Sequence, residues 1–190
     1  MKILFLIILF SISFLGAKTG EVDFEHGTLL KALKKTNGSS ELQELSVPES
    51  VDTNLNGQGK YFQVSGNSKE NEIAYVYVGR VHSCRAGGCS APGTEVNTGF
   101  EYFDYFILYS TEGKVEQVKV FNYQATHGQE ITIKGWLRQF QDHRATDSLN
   151  VGKQIDGIAG ATISVYAITD DIRQKTKLLK QIIDVQYSVR

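Results

Sequence analysis

The 190-residue sequence predicts an α+β fold: an antiparallel sheet of about four or more strands with packed helices and a long C-terminal helix. Three observations predict it. Residues 60–64, 73–78, 102–109 and 115–123 are rich in β-branched and aromatic side chains, the composition of a pleated, half-buried surface. The link 110–113 (Ser-Thr-Glu-Gly) reads as a hairpin turn with a glycine free to take positive φ, so the strands on either side run antiparallel. From Thr162 onward the apolar period becomes helical, and an amphipathic helix must cover a sheet face to bury its stripe.

In chain order, a positive tip at Lys2, a nearly unbroken apolar run over 3–15 and small residues at Gly16-Ala17 read as a signal peptide over 1–17. The run is shorter than the roughly 20 residues that span a bilayer, which makes an uncleaved anchor the weaker alternative. Residues 18–59 form an N-terminal helix and loop: Leu29, Leu30 and Leu33 space a helix over 24–35, and Asn37-Gly38 stops it. The polar stretch 39–59 leaves room for one short strand. After the last strand, 136–140 gives one or two helical turns. Val165, Ile168, Ile172, Leu179 and Ile182 then mark a helix of about five turns. Asp170, Asp171, Arg173, Lys175 and Lys177 fall on its intervening faces, with acids toward its front and Lys180 toward its back, as a helix dipole prefers.

The formal net charge is −1 with 20 Lys+Arg against 21 Asp+Glu, and no basic run exists to track phosphates, so nucleic acid is not an expected partner. Export changes how Cys84 and Cys89 are read. Outside the cytoplasm two thiols this close, in a loop carrying Gly87-Gly88, are expected to pair. So small a ring stabilises by only about 2 kcal/mol, which leaves a redox-active dithiol open beside a plain staple. A metal site would need more ligands than the nearby His82 offers. His26, His82, His127 and His143 are scattered without ligand spacing and read as surface or loop residues, as does the mixed polar stretch 138–144.

The most informative segment, 156–164 (DGIAGATIS), feeds the last helix. Gly160 and Ala161 let a ligand approach the backbone, and Thr162 and Ser164 place hydroxyls on the first turn. Free amides and a partial positive charge at a helix start suit a phosphate. A small-residue turn with Thr162 or Ser164 as a simple cap satisfies the same residues.

Residues 156–162, Asp-Gly-Ile-Ala-Gly-Ala-Thr, resemble the D-x-x-[S/T]-G-A-T motif of the FMN-binding domain family, which includes the FMN-bearing periplasmic subunits of sodium-pumping NADH:quinone oxidoreductases and of Rnf complexes. The likeness extends upstream over roughly the last half of the chain. Strand, Glu112-Gly113 turn and strand are similar to that family's hairpin, and Thr126-His127-Gly128 resembles its Thr-Pro-Gly element, with His127 in place of proline. The loop from Cys84 to Cys89 is outside the core motif. Ala159 departs from it, standing where Ser or Thr is preferred, while Asp156, Gly160, Ala161 and Thr162 keep it.

The resemblance implies that 60–190 is an FMN-binding domain. It also implies that Thr162 carries FMN as a phosphoester installed by a flavin transferase using FAD and Mg²⁺. Asp156, Gly160, Ala161, Thr126, His127 and Gly128 are then the further cofactor-side residues, Asp156 either assisting the transferase or holding the loop through its backbone. Outside the cytoplasm free flavin is scarce, and a covalent link holds it at high effective concentration. Tyr123 and Trp136 are candidates to flank the ring. The expected role is a periplasmic or extracellular carrier of electrons between a membrane redox protein and another acceptor, an electron-transfer protein or complex subunit in preference to a stand-alone enzyme. The alternative is a secreted, non-enzymatic, flavin-free binding or regulatory module in which Thr162 only caps a helix and Cys84 and Cys89 form a structural disulfide.

Overall fold

A computed structural model of the chain describes residues 20–38, 41–48, 58–65, 73–85 and 100–188. The expected signal peptide, Cys89 and the side chain of Cys84 lie outside the described residues. Five strands, β1 (Glu41–Glu44), β2 (Gly59–Ser65), β3 (Ile73–Arg85), β4 (Phe100–Ser110) and β5 (Val115–Tyr123), form one sheet in the order β1-β2-β3-β4-β5, each pair antiparallel. Among the described residues three α-helices accompany it: α1 (Gly27–Asn37), the single turn α2 (Lys134–Leu137) and α3 (Thr162–Ser188). The α+β expectation holds. Each strand pairs with the next in sequence, a meander, and the β4–β5 turn is the one expected: Gly113 has φ +73° and its amide donates to Ser110 O at 3.0 Å.

Alternation along the strands sends side chains to two faces, each covered by a helix. Tyr61, Tyr77, Phe103, Tyr105, Ile107, Tyr109, Val118 and Val120 meet α3 on one face. Phe62, Val64, Val76, Val78, Phe106 and Leu108 meet Leu29 and Leu33 of α1 on the other. Gly38, in the left-handed region at φ +75°, caps α1 by donating to Lys34 O. Val165, Ile168, Ile172, Leu179 and Ile182 of α3 are all fully buried, each contributing about 1.5–3 kcal/mol.

Several expectations change. Helix α3 runs 27 residues, well beyond five turns, and its first turn holds no acid and its last no base, so it does not follow the dipole preference. Asp171 and Lys175 are not on the solvated face. Lys175 is buried over the Tyr77 ring, and Asp171 accepts from the Tyr105 hydroxyl at 2.6 Å. The tyrosines on the sheet supply what that face needs to take polar groups inward: a hydrogen bond for the carboxylate and a π surface for the ammonium. His143, read as a surface or loop residue, does lie in the loop after α2, but it is buried. Its carbonyl accepts from Val115 N at 2.9 Å where the chain after α2 closes on β5. Phe140 is fully buried, so 138–144 is only partly solvated. His26 is half-buried, capping α1 by accepting from Thr28 N and stacking on Phe121 at 4.5 Å.

Candidate functional site

Helix α3 begins at Thr162, and its start is set by a turn. Ala161 N donates to Ile158 O at 3.1 Å, and Val165 N donates to Ala161 O at 2.9 Å, the first bond of the helix ladder. The amides of Thr162, Ile163 and Ser164 thus precede any carbonyl the helix supplies them. Gly160 takes φ +82°, which a side chain would strain, and the space beside it is open. Ala161 is buried and pins the turn to the core, whereas Asp156, Gly160 and Thr162 are exposed.

The preceding segment is knotted and anchored. Lys153 N, Gln154 N and Ile155 N all converge on Asn150 O, and Leu149 and Ile155 are buried. Two side chains from around α2 then grip the Asp156 backbone: Trp136 Nε1 donates to Asp156 O at 2.9 Å, and Gln139 Oε1 accepts from Asp156 N at 2.8 Å. The Asp156 backbone therefore holds the loop in place while its carboxylate stays in solvent.

On the other side of the helix start, the end of β5 and the loop after it come within reach of Ser164. The Ser164 hydroxyl lies 3.1 Å from the Tyr123 hydroxyl and 2.9 Å from that of Ser83, near the end of β3. Tyr123 donates to His127 O at 2.5 Å. A phenol has one proton, so the order of donation is fixed: Ser83 to Ser164, Ser164 to Tyr123, Tyr123 to the His127 carbonyl. Burial holds the Tyr123 hydroxyl above its ordinary range against the pull of Ser164, so it remains a donor. Gly128 fits beneath this chain with φ +87°, and a Cβ there would stand 2.6 Å from Ser164 Oγ. Thr126 is tied through its amide at 3.1 Å, and through its hydroxyl, to the Glu101 carboxylate.

The structure thus gathers two separate stretches selected from sequence, 156–162 and 126–128, around the start of α3, Gly128 and His127 through Ser164 and Tyr123. Thr126 and the His127 side chain are exposed. Nothing in the sequence marks Ser83, Glu101 or Gln139; only their place in the fold brings them here. Tyr123 and Trp136, named as flanking aromatics, act as a hydrogen-bond relay and a backbone clamp. Of the cysteine pair, the described residues show only that Ser83, next to Cys84, touches the helix start. A groove of about 430 Å³ between β5 and α2 lies elsewhere, lined by Lys119, Lys134, Leu137 and Arg138 among others, and none of the residues selected from sequence lines it. Among the described residues no group of three or more His, Cys, Asp or Glu side chains is placed to hold a metal ion, and no helix is long and apolar enough to cross a membrane.

No curated protein matches this chain. The family model described as the FMN-binding domain matches residues 103–176, which takes in most of β4, β5, α2, the turn before α3 and the first half of α3. The segment 103–176, with Thr162 inside it, belongs to the FMN-binding domain family.

Proposed function

We propose that this protein is an exported electron carrier whose FMN is attached through a phosphoester bond to the Thr162 hydroxyl. One coincidence carries the reading. The residue marked by the Asp-x-x-x-Gly-Ala-Thr pattern lies inside the FMN-binding match and stands exposed as the first residue of α3. The residues there suit a phosphate monoanion. Three amides at the helix start offer donors, the first turn carries no acid, and Gly160 leaves the approach open. Ala159 is exposed, so the loss of a hydroxyl there leaves no buried group unpaired.

Bound FMN supplies reversible one- and two-electron chemistry. The chain's own residues do the rest. Trp136 and Gln139 hold the motif by the Asp156 backbone, and the Ser83–Ser164–Tyr123 relay fixes the helix start against the sheet. The Asp156 carboxylate, left in solvent, is available to the Mg²⁺ or the base of an FAD-using transferase, because a threonine hydroxyl needs activation to act as a nucleophile. In that attachment the Thr162 oxygen bonds to the FMN-side phosphorus of FAD, AMP leaves, and the hydroxyl proton passes to the base. A membrane redox protein is the expected donor or acceptor.

Coexpression with a flavin transferase, followed by intact-mass measurement, tests the reading. The wild-type chain gains the mass of FMN less water, and Thr162→Ala gains nothing. An unshifted wild-type mass, or a shift that survives Thr162→Ala, overturns it.

A further inference from the structure

Large hydrophobic side chains left exposed among the described residues are Ile133, Ile163 and Tyr166, at 56%, 44% and 52%. Two of the three stand within the first five residues of α3, whose other large apolar side chains, among the described residues, are buried or partly buried. Thr162 and Tyr166 are four residues apart. They share one helix face, about 6 Å apart along the axis. Side chains on a helix lean toward its N-terminus, the direction that puts a residue at position 166 over the turn that carries Thr162. One turn further along this face the apolar surface ends: Asp170 is exposed and paired with Arg173 at 2.8 Å. A short, bounded apolar bed thus begins at the Thr162 hydroxyl.

We propose that Tyr166, with Ile163 at its side, is the bed on which the flavin ring lies, Tyr166 stacking on it. This rests on the attachment of FMN at Thr162 argued above. The occupant follows from the tether. A group fixed to Thr162 is held beside this patch at high effective concentration, and its flat, largely apolar ring matches an exposed aromatic face. No acid separates Thr162 from Tyr166, so nothing on this stretch repels the phosphate. Tyr166 is a positioning residue for the cofactor, and its phenol also quenches the excited flavin. One electron passes from the ring to the excited flavin and returns, with no net change in either.

The test uses the full chain loaded by a transferase, as wild type, Tyr166→Phe and Tyr166→Ser, each checked by intact mass for full FMN occupancy. Wild type is expected to show weak flavin fluorescence and a distinct visible circular-dichroism band. Tyr166→Phe keeps the band, because the stack survives, but brightens severalfold, because the oxidisable phenol is gone. Tyr166→Ser brightens and loses the band. Fully loaded Tyr166→Ser with the fluorescence and dichroism of wild type overturns the proposal while leaving the attachment intact. Loss of loading in Tyr166→Ser alone assigns the residue to the transferase contact and also overturns it. Absence of the mass increment in the wild-type chain overturns the attachment and this inference together.

Discussion

Gly128 joins two demands at one position. Its φ of +87° lies where side chains are strained, and a Cβ there meets Ser164 Oγ at 2.6 Å and Tyr123 OH at 3.0 Å. Those two hydroxyls belong to the relay that seats the start of α3. Gly152 separates the demands: it has φ +83°, but a Cβ there meets nothing within 4 Å. Gly128→Ala is therefore expected to cost about 1–3 kcal/mol in unfolding free energy, combining backbone strain with the displacement of Ser164. Gly152→Ala carries the strain alone and should cost less. Thermal or denaturant unfolding of the two variants checks the order. Flavin loading adds a second readout, since only Gly128→Ala disturbs the helix start. The sequence singles out Gly128 through its likeness to a Thr-Pro-Gly element, but the reason for the glycine appears only when Ser164, distant along the chain, is found beside it.

Helix α3 shows what periodicity reads and what it misses. Val165, Ile168, Ile172, Leu179 and Ile182 are legible as the buried stripe because every one is apolar and correctly spaced. Periodicity places Asp171 and Lys175 outside because it sorts by residue type, and it is blind to the tyrosines facing them. Tyr61 donates to Lys175 O at 2.9 Å, Tyr105 to Asp171 at 2.6 Å, and Lys175 Nζ lies 3.6 Å from the Asp171 carboxylate. Desolvation raises the Asp171 pKa, and Lys175 and the Tyr105 bond pull it back. Removing the cation leaves that largely buried carboxylate with the Tyr105 hydrogen bond but no countercharge, so Lys175→Met is expected to destabilise by about 3 kcal/mol near neutral pH. The loss shrinks as pH falls through the Asp171 pKa, where the group becomes neutral. Asp171→Asn with Lys175→Met recovers most of the loss, because no lone charge remains. A double-mutant cycle measured by denaturant unfolding at neutral and acid pH decides it. Additive losses from the two single variants would show that the pair is uncoupled.

The antiparallel strands, the β4–β5 hairpin and the helices before β1 and after Thr162 are readable because they depend on neighbours in sequence. How the last third closes onto the sheet is not, because it depends on contacts between distant segments. The chain leaves β5, turns through α2 and returns so that Asp142 N donates to Val115 O at 2.8 Å and Val115 N to His143 O. This closure buries His143 between β5 and α3. Its Nε2 has no hydrogen-bond partner among the described residues, Asp147 lies 3.9 Å from Nδ1, and Lys177 of α3 adds a like charge. Burial, the largest influence, and then Lys177 lower the His143 pKa below its ordinary 6.5, while Asp147 works the other way. The unfolded chain therefore takes up a proton on His143 before the folded one does. Stability from keeping this ring neutral is complete above about pH 6.5 and is lost as pH falls from there through the folded pKa. Asp171, with its raised folded pKa, slopes the other way: its contribution is fullest below its ordinary 3.8 and declines as pH rises through the folded value. Replacing His143 with Leu removes the first slope and leaves the second. Denaturant unfolding between pH 7 and 5 should thus show wild type weakening more steeply toward acid than His143→Leu. Equal slopes would mean that the closure of α2 onto β5 and α3 does not exclude water from this ring.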